Sequence, residues 1–366
     1  MEIGYFTPPA FTKRQFDINE LNDSFGKEFQ YSSKGRWCLY HILKSLNVKG
    51  PVLLPVYCCS TVLEPIKVLG LEYYFYDIRQ EDMNAHLDSI KELSDRYHPE
   101  CIIAVSMYGN PCCLSELEFF CKEKQIYLVD DAAQSVGSIK DGRRVGTFGD
   151  AGFFALSPGK PLAGHMGGFF WSSKNYQINY KTHTLLHKVI YRDFKLNRLN
   201  GLKYSKSIIA KFYKKASTLL QRSVDIKYDG YSSFENEIVG GIIHDSITRH
   251  TSMRTALAVE LYKEVEKNQL FRFILPFDSE QTKGIAHKYI VVCESKNVAD
   301  RLLDFVKAEG IRAQKGYKML TDDFAYLPNA KKMDGRIVEV PLDPNREACN
   351  YIASVLNDFI KNNDIK

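Results

Sequence analysis

The 366-residue chain reads as an α/β protein, with a mainly parallel sheet sandwiched by helices and a smaller C-terminal α/β domain. Three observations predict this. Short apolar runs rich in aromatic and β-branched residues recur at 52–54, 73–76, 101–105, 126–129, 152–156 and 168–171. Segments with helical spacing of apolar positions separate several of these runs, which is the signature of parallel strands joined by crossover helices. The last hundred residues repeat the alternation on a smaller scale.

Taken in order, 36–48 (RWCLYHILKSLNV) has a helical spacing and follows a Ser-Ser-Lys-Gly turn. Helical patterns at 61–68 and 114–124 lie between strand runs. Asp141-Gly142 is a two-residue hairpin signal joining 138–140 to 143–145. In open parallel sheets the chemistry gathers at the carboxyl ends of the strands. Asp77, Ser106, Asp130, Asp131 and Ser157 all stand just past a predicted strand. From 174 to 222 the texture changes to twelve Lys/Arg and a single acid, Asp193, among Tyr, Leu, Ile and Phe. If that stretch is helical, Leu186, Val189, Ile190 and Phe194 share one face, opposite Lys181, Lys188 and Lys195. A further helix is expected over 246–267. After it come a strand (288–293), a helix (298–309), a strand near 337–340 and a helix (346–361). The domain division that follows is 1–250, including a basic helical insertion at about 174–230, and 251–366.

Composition bounds the function classes. Hydrophobic residues make up 45% and charged residues 25%, and the net charge of +5 does not by itself argue for nucleic acid. No apolar run approaches the length needed to cross a bilayer. The amino terminus lacks a basic start followed by an apolar core, so no signal peptide is expected. The nine cysteines form neither a zinc spacing nor a disulfide framework, which predicts a reduced, cytoplasmic protein without a metal site.

The stretch 151–171, AGFFALSPGKPLAGHMGGFFW, carries one cation, Lys160, between two strand-like runs. An isolated lysine on a loop is ordinarily a surface group, but here it has company. Upstream, IYLVDDAAQSVG ends a strand on two carboxylates, and SSKGRWCL is a glycine turn opening a helix, where free N–H groups suit a phosphate. A helix N-terminus, a strand-end aspartate and a lysine beyond a later strand are the parts needed to hold pyridoxal phosphate. Its phosphate needs donors, its pyridine nitrogen a carboxylate, and its aldehyde an amine whose pKa is lowered.

The run VDDAAQSVGSIKDGRRVGTFGDAGFFALSPGKPLAGHMGG resembles the signature of the DegT/DnrJ/EryC1/StrS sugar aminotransferases, fold-type I pyridoxal-phosphate enzymes with a seven-stranded large-domain sheet. Weaker likeness extends to GRWCLYHIL, LLPVYCCSTV, FYDI, MYGNP, GIRAQKGY and VPLDP. The resemblance implies that Lys160 is the Schiff-base lysine and proton shuttle, and that Asp131 pairs with the pyridinium nitrogen. Gln134 would lie near the ring oxygen, and the turn Gly35-Arg36-Trp37 would meet the phosphate through the amides of Arg36 and Trp37. Cys59 or Tyr57 would lie near the outer face of the ring, and Tyr108, His165 and Tyr317 are candidate substrate contacts. Asp130 is read as structural, since only one acid can face the ring nitrogen. The family's phosphate-binding serine, five residues before the lysine, is Ala155 here; Ser157 and Ser106 are candidates to replace it.

The function implied is transfer of an amino group from glutamate or glutamine to a nucleotide-linked keto sugar, in surface-glycan or secondary-metabolite biosynthesis. A homodimer with shared active sites is expected. The missing serine keeps open a non-catalytic relative that binds cofactor or sugar nucleotide as a regulator or assembly partner. Members that dehydrate sugars carry histidine at the lysine position, which Lys160 does not match. The basic segment 174–222 is either two solvated helices or a cationic face for anionic lipid or a diphosphate-bearing substrate.

Overall fold

A computed structural model of the chain describes residues 3, 18–32, 34–156, 159–161, 167–178, 251–343 and 345–363. The first part runs α1 (Ile18–Phe25), β1 (Gln30–Ser32), α2 (Gly35–Ser45), β2 (Val52–Pro55), α3 (Leu63–Val68) and β3 (Tyr73–Tyr76). It continues through α4 (Leu87–Tyr97), β4 (Cys101–Val105), α5 (Leu114–Lys124), β5 (Tyr127–Asp131), the hairpin β6 (Ile139–Lys140) and β7 (Arg143–Arg144), β8 (Ala151–Ala155) and β9 (Gly168–Ser172). The later part holds α6 (Thr251–Glu264), β10 (Phe271–Phe273), β11 (Lys288–Cys293), α7 (Lys296–Ala308), β12 (Gln314–Lys315), α8 (Pro328–Met333), β13 (Ile337–Pro341) and α9 (Arg346–Asn363).

Seven strands build the large sheet in the order β1-β9-β8-β5-β4-β2-β3. The pairs from β8 through β5, β4 and β2 to β3 are parallel, while β9 runs antiparallel between β8 and β1. The central strands are apolar on both faces: every residue of β2, β4 and β8 is buried. One apolar cluster holds α2 and α3 against one face, with Leu39, Ile42 and Ile66 fully buried. A second packs α1, α4 and α5 on the other through Leu21, Ile90 and Leu117. Helix ends follow local chemistry. Ser295 accepts the Val298 N–H at 3.2 Å to cap α7, and α5 stops where Gln125 turns left-handed at φ 58°.

The second sheet is antiparallel, in the order β10-β11-β13-β12, and packs against α6, α7 and α9. It is tied to the first by specific bonds. Ile285 N–H donates to Gly109 at 3.0 Å, and the Asn110 side chain bonds Leu275 and Phe277. Asp77 accepts the N–H groups of Asn329 and Ala330, both at 2.9 Å, and so caps α8. The expected strand at 126–129 ends two residues later, so Asp130 and Asp131 belong to β5 itself. The helical pattern at 61–68 begins with a 3-10 turn, Ser60–Val62. Among the described residues no helix is long and apolar enough to cross a membrane. The basic segment and the insertion to 230 lie outside the described residues beyond 178.

Candidate active site

At the carboxyl ends of β4, β5 and β8, beside the first turn of α2 and the loop after β2, lies a cavity of about 300 Å3. Gly35, Arg36, Cys59, Asp131, Gln134, Lys160 and Tyr317 all line it, with Lys34, Cys58 and Thr61, and an apolar wall from Leu39, Val105 and Phe153. Residues separated by more than a hundred positions meet here because parallel strands deliver their ends to one edge.

Alternation along β5 separates its two acids. Asp130 Oδ2 accepts the N–H groups of Gly146 (2.6 Å) and Phe148 (3.2 Å), which pins the turn before β8. Burial pushes its pKa up to about 7. Asp131 lines the cavity and is 3% exposed. Its Oδ1 accepts the Ala133 N–H at 2.9 Å. Burial pushes its pKa up to about 6, against the pull of that N–H and of the Lys160 charge. Burial lowers the pKa of Lys160, opposed by Cys59 and Asp131. An amine that sheds its proton more readily and a carboxylate that keeps one longer are acid–base groups brought toward neutral pH.

Gln134 is 2% exposed; its Nε2 lies 3.5 Å from both Met107 Sδ and the Tyr317 hydroxyl, and its Oε1 is buried without a hydrogen bond. An orphaned buried amide oxygen on a cavity wall is a place for a ligand donor. At the opening of α2, Gly35 has no room for a side chain, since a Cβ there would lie 2.7 Å from that of Ala155. Cys59 is half-buried, with Sγ 3.1 Å from the Thr61 hydroxyl.

Two expected site residues stand apart from the cavity. The Trp37 N–H donates to Lys34 O at 3.0 Å and its side chain is buried, so the expected phosphate contact falls to the amides ahead of it. Tyr108 sits behind the wall, its hydroxyl 2.5 Å from that of Tyr57 and donating to Glu339 at 3.1 Å. Ser157 and His165 lie outside the described residues. Ser106 is fully buried, its hydroxyl accepts the Cys112 N–H at 3.2 Å, and it does not line this cavity.

A buried polar network, absent from the sequence reading, backs the site. Glu339 on β13, 1% exposed, accepts from Lys288 Nζ at 2.5 Å, Gln314 Nε2 at 2.7 Å and the Tyr108 hydroxyl. Tyr57 hydroxyl receives the Tyr317 N–H at 3.1 Å, which places Tyr317 against Gln134. Alternation within β11 and β13 gives little hint of it, because a charged pair inside two apolar strands breaks the pattern that marks them.

Residues 33–197 match the model of the DegT/DnrJ/EryC1/StrS aminotransferase family. This segment is similar to that family over just under half of the chain. It contains α2, the strand ends and every cavity residue named above except Tyr317. Among curated proteins, one match is the GDP-perosamine synthase of Vibrio cholerae, 26% identical over 149 residues, 40% of each chain. The GDP-4-keto-6-deoxy-D-mannose 3-dehydratase of Yersinia pseudotuberculosis is 30% identical over 28% of this chain and 26% of its own. The chain thus spans under half the length of these relatives. Solved structures match over nearly the whole chain. Helicobacter pylori PseC, an aminotransferase of pseudoaminic acid biosynthesis, gives a TM-score of 0.74 at 15% identity, covering 99% of this chain and 100% of its own. The aminotransferase TlmJ of Streptoalloteichus hindustanus gives 0.74 at 17%, covering 94% and 90%. These likenesses establish the aminotransferase fold.

Proposed function

We propose that the chain is a pyridoxal-phosphate-dependent aminotransferase that converts a nucleotide-linked keto sugar to an amino sugar, with glutamate or glutamine as donor. The observation that carries this reading is that Asp131 and Lys160 line one cavity at the strand ends. The donor set fits the cofactor: a buried carboxylate for the ring nitrogen, an amine for the aldehyde, an unbonded Gln134 oxygen for a ring substituent, and a helix N-terminus for the phosphate. Bound there, pyridoxal phosphate supplies an electron-withdrawing ring that acidifies the donor's α C–H. Asp131 Oδ2, left open by the Ala133 bond to Oδ1, holds the proton on the ring nitrogen. Lys160 Nζ, its pKa lowered by burial, is the base that takes and returns the substrate proton. Leu39, Val105 and Phe153 keep water from that exchange.

Three matched curated relatives are named as 3-dehydratases, but a lysine at position 160 favours amino transfer, on the resemblance set out above. The reading extends to a homodimer in the cytoplasm, divided at about residue 250 into a cofactor-binding domain and a small α/β domain. Incubation with pyridoxal phosphate should turn the protein yellow, and borohydride reduction with peptide mapping should leave the label on Lys160. Lys160→Ala should lose the label and about 10³-fold or more of amino transfer from glutamate. A yellow protein whose spectrum ignores every amino donor would instead favour a non-catalytic binding protein.

A further inference from the structure

We propose that Lys34 is the cation that grips the cofactor's phosphate, an inference resting on the pyridoxal-phosphate reading above. Lys34 is the N-cap residue of α2 and makes no side-chain cap bond. Short side chains with an acceptor oxygen are favoured at that position, because they satisfy the free first-turn N–H groups. A cation at the positive end of a helix is disfavoured. Here two cations, Lys34 and Arg36, crowd that end, and the first turn contains no acid. Arg36 is answered by Glu64 on α3. Lys34 faces no carboxylate within ion-pair distance among the described residues. A turn that breaks the local rule twice, on the wall of a cavity, is what a site built for an anion requires.

Two independent features of the same cavity point to a ligand. Gln134, 2% exposed, lines it with Oε1 unbonded. The strand end that would offer a hydroxyl carries Ala155 instead, packed where a side chain on Gly35 would stand. That position therefore offers no hydroxyl, while a charged donor, Lys34, stands on the same cavity wall. Within the cavity an anion is repelled by Asp131 and attracted by Lys34 and the first turn of α2, so a phosphate monoester has a defined end. A nucleoside diphosphate offers similar chemistry, and the experiment must tell the two apart.

The test titrates the full-length chain, freed of cofactor, with pyridoxal phosphate, with unphosphorylated pyridoxal and with UDP. It compares wild type with Lys34→Ala, Lys34→Arg and Lys34→Ser. Lys34→Ala should weaken pyridoxal phosphate about 10- to 100-fold, as expected for a lost charge-assisted phosphate contact, and leave pyridoxal unchanged. Lys34→Arg should restore most of the affinity. Inorganic phosphate should compete with pyridoxal phosphate in wild type and far less in Lys34→Ala. Lys34→Ser, which places a favoured cap on α2, should melt no lower than wild type without cofactor, showing that the lost affinity is not unfolding. Equal affinity of wild type and Lys34→Ala for pyridoxal phosphate overturns the proposal, as does an equal loss for pyridoxal, or a loss confined to UDP. Failure of wild type to bind pyridoxal phosphate or pyridoxal overturns the cofactor reading itself, and this proposal with it.

Discussion

At the scale of single residues, adjacent acids of one strand have opposite duties because β geometry turns them to opposite faces. Asp131 faces the cavity; Asp130 braces Gly146 and Phe148 and is 0% exposed. Its pKa, pushed up to about 7 from an ordinary 3.8, means that the folded state holds the proton more tightly than the unfolded chain. Stability contributed by Asp130 is thus greatest in acid and falls as pH rises from about 4 through 7. Asparagine, which cannot ionise, escapes that loss. Asp130→Asn should therefore gain on wild type between pH 5 and pH 8 by on the order of 2 kcal/mol, read from denaturant midpoints at each pH. Asp131 titrates in both proteins and cancels from the difference. A gap that does not change with pH would show that Asp130 is already ionised throughout.

At the scale of elements, the opening of α2 against the end of β8 decides whether the cavity exists. The two approach so closely at Gly35 that a Cβ would fall 2.7 Å from Ala155 Cβ, inside van der Waals contact. Gly35→Ala should destabilise the fold by roughly 1–3 kcal/mol through overpacking, and should also weaken cofactor binding because α2 is pushed off the strand. Thermal melts with and without pyridoxal phosphate would measure both effects. Ala155 in place of the expected serine fits the same contact, since a larger side chain on β8 would meet the helix backbone.

At the scale of the whole molecule, the two sheets are joined through buried polar groups as well as apolar packing. Glu339 sits on the smaller sheet, while Tyr57 and Tyr108 lie just past the ends of β2 and β4 of the larger one; their hydroxyls carry the connection to Tyr317 at the cavity. Breaking a buried ion pair from one side leaves a charge without its counterion, a larger loss than removing both partners. Glu339→Gln should cost about 3–5 kcal/mol in chemical denaturation, and the double variant Lys288→Met/Glu339→Leu should recover part of it. If the single variant is as stable as wild type, the pair is not buried as described.

Much of this was legible in the amino-acid order. Alternation of apolar runs with helical spacing gave the strands at 52–54, 101–105 and 288–293 almost to the residue, because burial on both faces leaves a continuous apolar signal, and the half-buried strand at 73–76 through its run of aromatics. Gly35, Asp131, Gln134 and Lys160 stood out because turns, strand ends and isolated charges break such patterns. Strands β1, β10 and β12, of two or three residues each, were not visible, being too short for any period and held only by pairing to their neighbours.

The sequence by itself determined the α/β class, the mainly parallel character of the larger sheet and the residue types available for chemistry, because these depend on local periodicity. Only the tertiary structure decided which of those residues share a cavity. It turned Trp37 and Tyr108 away from it, brought Tyr317 in from the loop after β12, and left Lys34 on its wall with no carboxylate within ion-pair distance among the described residues. The reason is physical: hydrogen bonds and ion pairs between distant segments leave no trace in spacing along the chain.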